Sequence, residues 1–215
     1  MPTSNLNNPE LDFNRELSLL EFNRRVLDIA KDDEVPLLER LSFLCIANAN
    51  LDEFFEIRVA GLIHQQALGG TLRGPDNMSP AEQLRAIAPV AHELLDEQYR
   101  VLNELLLPRL DLEGIRFLAR DRWNPKQAQW LRRYFTHDLV PILTPVGLDP
   151  AHPFPKVLNK GLCFIVTLEG KDAFGRASGK AVVQVPRSLQ RLVRLPAGVA
   201  QAPYDFVFLS SIVHA

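Results

Sequence analysis

Between Pro141 and Pro155 the chain places five prolines in the run PILTPVGLDPAHPFP, a density that limits what this stretch can become. Each proline fixes its own φ, lacks an amide proton and biases its predecessor away from the helical region. The run is therefore predicted as a stiff extended loop, without regular structure. The sequence before Pro108 and the sequence around this loop have different textures, and they are best read separately.

Upstream, the pattern is helical. Asp12 to about Asp32 sets Leu17, Leu20 and Leu27 at helical spacing with charges between them. Pro36 suits a helix first turn, and Leu37, Leu41 and Leu44 continue as an i, i+4, i+7 stripe. A third segment from Leu51 to about Leu68 carries Phe54, Phe55, Ile57, Val59 and Leu62, and ends at Gly69-Gly70. After the polar connection GGTLRGPDNM, Ser79-Pro80-Ala81-Glu82 predicts a capping box with proline in the first turn. That helix is expected to reach about Leu107, stop before Pro108, and bend where Pro89 interrupts it. Four helical segments with short joins predict an antiparallel helical domain over residues 1–107.

Downstream, residues 108–215 read as a partial α+β domain with an antiparallel sheet. Ile115–Leu118 is a short strand candidate, and Asn124-Pro125 with Gln127 predicts a second capped helix through about Val140. Beyond the proline run, Leu162–Leu168, Ala181–Val185 and Tyr204–Leu209 read as strands. The first two are predicted to form a hairpin across EGKDAFGRASGK. Ser210–Ala215 resembles the first turn of another helix with no stop signal, as expected of a chain cut short.

Composition is that of a globular protein, with 47% hydrophobic and 23% charged residues. The net charge of −2 hides a split. Residues 1–106 carry 9 basic and 18 acidic side chains, and residues 107–215 carry 15 and 8. The basic half could face a polyanion or the acidic half. Its positive charges are scattered, with no basic run and no aromatic RNA-recognition motif, which argues against sequence-specific nucleic-acid binding. Cys45 and Cys163 lie far apart in apolar surroundings and are expected to be buried free thiols, since a disulfide framework or zinc site needs more ligands at short spacing. No apolar run reaches the length of a membrane span, and the amino-terminal residues lack a signal-peptide pattern, so a cytoplasmic protein is expected.

No phosphate-binding loop, dinucleotide fingerprint, zinc-protease helix or nucleophile elbow occurs, and the five histidines are isolated in sequence. The distinctive segment is Asn48-Ala49-Asn50-Leu51-Asp52-Glu53-Phe54-Phe55. Structurally, Asn50 would cap a helix, Glu53 would close the box, and both phenylalanines would enter the core. Functionally, the Asn50 carboxamide donates and accepts together, which suits an adenine edge or a phosphate. A third reading takes Asp52 and Glu56 as magnesium ligands. In the proline run, Asp149 and His152 could serve a site, with Lys156 and Lys160 adding positive field, although a structural loop is the simpler expectation.

Two long stretches resemble the polyphosphate kinase 1 family: NRELSLLEFNRRVLDIA with PLLERLSFLCIANANLDEFFEIRVAGL, and LTPVGLDPAHPFP with GLCFIVTLEG and VVQVPRSLQRLVRLP. The resemblance runs from about residue 12 to residue 209. It implies a bacterial, cytoplasmic or membrane-associated enzyme that reversibly moves the terminal phosphate of ATP onto polyphosphate, through a phosphohistidine and with magnesium (Mg2+). It implies a helical domain that closes over the adenine of ATP or ADP, a head domain used for homo-oligomerisation, and catalytic domains that this chain lacks. The family's adenine-contacting asparagine matches Asn50, the one binding residue carried over. No catalytic or metal-binding residue is assigned here, and this chain alone is expected to be inactive. Leu209-Ser210-Ser211-Ile212 departs from the acidic Leu-Glu-Asp type step of that family. The alternative reading is a free-standing interaction or polyphosphate-binding module without catalysis.

Overall fold

The computed structural model describes residues 12–69, 73–149, 152–170 and 179–215. Parts of the GGTLRGPDNM connection, the proline run and the EGKDAFGRASGK loop lie outside these residues. The chain divides into two compact units, Met1–Leu112 and Glu113–Ala215.

The first unit is built from helices. Asn14 caps α1 (Arg15–Lys31) by accepting the Glu16 and Leu17 amide protons. Ser79 and Glu82 form the predicted reciprocal box at the start of α4 (Pro80–Arg100), which keeps Pro89 within it. Leu20, Leu27, Leu44, Leu51, Leu94 and Val101 meet in the core.

Two expectations fail here. The segments predicted on either side of Asn50 are one unbroken helical run: α2 (Leu37–Glu53), a π-helical segment (Phe54–Val59) and α3 (Ala60–Ala67). The helix that opens at Ser79 also does not stop before Pro108. It passes through a π segment (Val101–Leu106) into α5 (Leu107–Leu112), with the Leu107 N–H donating five residues back to Leu102. Widening the helix ahead of a proline relieves the clash between its ring and the preceding turn. The same device recurs at Pro141, reached through α6 (Pro125–Tyr134), a π segment (Phe135–Leu139) and a 3-10 turn (Val140–Ile142). The π segment Phe54–Val59 has no proline after it to explain it.

Among the described residues of this unit, one cation is buried. Arg40 is 2% exposed and donates from Nε to the Ala30 carbonyl at 2.9 Å and from Nη1 to Asp33 at 2.7 Å. Arg109 also binds Asp33, and its hydrogen bond, only partly offset by desolvation and reinforced by Arg40, holds the Asp33 carboxyl below the usual range.

Among the described residues, the second unit forms two three-stranded sheets. In the mixed sheet, β1 (Ile115–Phe117) pairs in parallel with β6 (Tyr204–Phe208), and β5 (Leu192–Arg194) pairs with β6 antiparallel. In the antiparallel sheet, β4 (Lys180–Gln184) lies between β2 (Thr144–Gly147) and β3 (Cys163–Thr167). The β3–β4 pairing was predicted, whereas β2 corrects the extended-loop reading of the proline run. β2 is an edge strand with Pro145 opposite Val183, where a missing amide proton is tolerated. Gly114 enters β1 at φ +76°, and a Cβ there would lie 3.0 Å from the Pro203 ring. The chain's last helix, α7 (Leu209–Val213), buries Leu209 and Ile212 against Leu131, Leu139 and Val207.

Asp205 is fully buried. It takes a two-pronged contact from Arg116 Nε (2.7 Å) and Nη2 (2.8 Å), and accepts the Gln201 and Ala202 amide protons. Burial opposes its ionisation, but these donors outweigh that and hold its carboxyl below the usual range. Both cysteines are free, yet the expectation of burial fails: Cys45 is exposed on the outer side of α2 and Cys163 is half-buried on an edge strand.

Candidate functional site

Among the described residues, the side chain singled out by sequence, Asn50, sits in a cleft of about 260 Å³ in the helical unit. α1 supplies Leu19, Phe22 and Asn23 to its lining; α2 supplies Asn50 and Glu53; the π segment supplies Phe54, Ile57 and Arg58. The capping reading of Asn50 is overturned. Asn50 lies one turn inside the end of α2, and the helix continues beyond it, so no free amide protons wait there to be capped. Its amide is used sideways instead, donating from Nδ2 to Asn23 Oδ1 at 3.1 Å. Asn23 is 3% exposed and donates from its own Nδ2 to the Ala47 carbonyl at 2.8 Å.

The π segment shapes the rest of the lining. Phe54 turns into the core, while Phe55, expected there too, remains 44% exposed and meets Phe54 edge-on. Ile57 and Phe22 are also largely exposed and form apolar walls. Arg58 adds a single cation, 3.9 Å from the Glu16 carboxylate in the first turn of α1. Helix amino termini favour such an anion, yet Glu16 Oε2 is buried without a hydrogen-bond partner.

Small-molecule pockets usually start near 300 Å³, so this cleft suits one part of a ligand rather than a whole nucleoside triphosphate. Its one arginine is balanced by Glu53 in the lining, so it has no excess positive charge for a polyphosphate chain. A flat heterocycle with donors and acceptors on one edge matches it better. Beyond the bond to Asn23, Asn50 retains an acceptor oxygen and a second amide proton for such an edge.

The other candidates do not converge on Asn50. Asp52 lies near the end of α2 and Glu56 in the π segment that follows. Among the described residues no group of three or more His, Cys, Asp or Glu side chains could hold a metal ion. His152 and Asp149 pair at 3.5 Å in the second unit, with His152 mostly exposed. Lys160 takes a left-handed conformation just before Gly161. Sequence reading missed Asn23, although it carried a signal: a lone amide at the phase of the buried stripe Leu20, Leu27 and Ala30. A polar residue placed on a core stripe needs a specific partner.

The model of the polyphosphate kinase N-terminal domain matches residues 13–118, and that of the polyphosphate kinase middle domain matches residues 126–215. The chain belongs to the polyphosphate kinase family. Asn23, Asn50 and Arg58 all fall within the matched N-terminal domain. The chain is 50% identical to the polyphosphate kinase of Pseudomonas syringae pv. tomato over 98% of its own length, and 52% identical to that of Burkholderia cenocepacia over 93%. The crystal structure of the polyphosphate kinase from Porphyromonas gingivalis superposes with a TM-score of 0.75 at 31% identity over 94% of this chain. The chain spans 29% of the length of each of these three proteins. Among the described residues, no helix is long and apolar enough to cross a membrane.

Proposed function

We propose that this chain is the nucleotide-positioning part of an ATP:polyphosphate phosphotransferase, with Asn50 contacting the adenine of ATP or ADP. The observation that carries this reading is the Asn50 carboxamide, held by Asn23 at the lining of a cleft with apolar walls. Phosphoryl transfer depends on holding the nucleotide in line with the acceptor and on cations around the transferring group. A cleft with one arginine can do the first for the base end and not the second. Magnesium, when bound, would neutralise phosphate charge. Its ligands and the phosphorylated histidine are read as belonging to other domains of the complete enzyme. The two units are read as separate domains, the second supporting homo-oligomerisation, in a cytoplasmic enzyme.

Two measurements test this. In the complete enzyme, Asn50→Ala is expected to raise the nucleotide KM several-fold and leave the polyphosphate KM unchanged; equal effects on both would favour a purely structural asparagine. The 215-residue chain is expected to form no ATP from ADP and polyphosphate, and robust turnover would overturn its assignment as a positioning part.

A further inference from the structure

The two asparagines form a relay whose direction is set by the backbone. The Ala47 carbonyl can only accept, so Asn23 must present Nδ2 to it, at 2.8 Å. That choice turns Asn23 Oδ1 toward Asn50, which must then present its own Nδ2, at 3.1 Å. Reversing either amide would set two oxygens against each other. Burial of Asn23 at 3% exposure keeps water from substituting for the lost bond. Ala47 and Asn50 lie about one turn apart on α2, and Asn23 reaches them both from α1.

We propose that Asn23 is a positioning residue that fixes the sense of the Asn50 amide and thereby makes the cleft prefer adenine over guanine. This rests on the reading of Asn50 as the base contact. A carboxamide offering an oxygen beside an N–H matches the adenine edge, whose amino group donates while the neighbouring ring nitrogen accepts. The guanine Watson–Crick edge has the opposite order, a carbonyl that accepts beside a ring N–H that donates. An asparagine free to turn over would serve both bases. One held by the relay serves adenine, and the guanine complex must break a buried hydrogen bond.

The test is nucleotide binding by the 215-residue chain, followed by NMR with ADP and GDP as probes. The native chain is expected to bind ADP about tenfold more tightly than GDP, the scale of one hydrogen bond. Asn23→Leu, or the smaller Asn23→Ser if leucine disturbs the helix packing, is expected to bring that ratio close to one. Asn23→Asp, protonated so that its O–H replaces the amide donor to the Ala47 carbonyl, keeps an acceptor for Asn50 Nδ2 and is expected to restore most of the preference. A merely structural role would instead make the ratio indifferent to these changes and let only the melting temperature move. If Asn50→Ala weakens ADP binding while Asn23→Leu and Asn23→Ser keep the native ratio, the relay proposal falls and the Asn50 contact stands. If Asn50→Ala binds ADP as the native chain does, or the native chain binds neither nucleotide, the base contact falls and the relay proposal with it.

Discussion

The acidic helical unit buries an arginine, and the basic α+β unit buries an aspartate. Arg40 is enclosed by partners close in sequence, the Ala30 carbonyl and Asp33. Asp205 is enclosed by two backbone amides nearby and by Arg116, 89 residues away. The sign of the surrounding charge therefore does not decide which charge can be buried. What decides is whether every donor or acceptor finds a local partner, because an unpaired buried charge costs several kcal/mol. The two solutions differ in what they hold: Arg40 secures a turn between neighbouring helices, whereas Asp205 secures strands from distant parts of the chain.

That difference predicts unequal losses. Asp205→Ala leaves two backbone amides and Arg116 without their acceptor, and is expected to destabilise the α+β unit by about 3–5 kcal/mol. Trp123 and Trp130, the only tryptophans, both lie in that unit, so their fluorescence in urea reads it alone. A loss below 1 kcal/mol would remove the contrast. Acid extends the test. The folded Asp205 carboxyl lies below its ordinary value of 3.8, so its contribution is complete above that value and is lost as pH falls through the folded value. Asp205→Asn should flatten this acid limb of the fluorescence transition.

Arg40→Met is expected to cost less, about 1–3 kcal/mol, because Arg109 still serves Asp33 and methionine refills much of the space. Amide hydrogen exchange in α1 and α2 would locate the loss in the helical unit, and protection lost equally in β1 and β6 would contradict it. Ser79→Ala removes the cap of α4 and is expected to cost about 1 kcal/mol, seen as faster exchange confined to its first turn.

Local chemistry was readable from sequence and distant pairing was not. The capping boxes at Ser79 and Asn124 involve residues three apart and formed as predicted, whereas the one read at Asn50 and Glu53 did not. The parallel pairing of β1 with β6 joins residues about 90 positions apart, and the three-residue β5 is too short for an alternating pattern. β2 was hidden because proline forbids a central strand but not an edge one. At the site, Asn50 was found by its setting, but the capping explanation came from reading a helix start where the helix runs on. The partner that holds Asn50 lies on another helix, 27 residues away.

The π segment Phe54–Val59 also sets a phase. A π-bulge gives a helix one more residue than its α-type ladder requires. Removing one residue from it would let the run close as a plain α-helix and keep the residues after it on their present face. Leu62 would keep its place in the core, whereas the spacing of Phe54, Ile57 and Arg58 around the cleft would change. In this stretch, the count of residues is as much a determinant of the site as their identity.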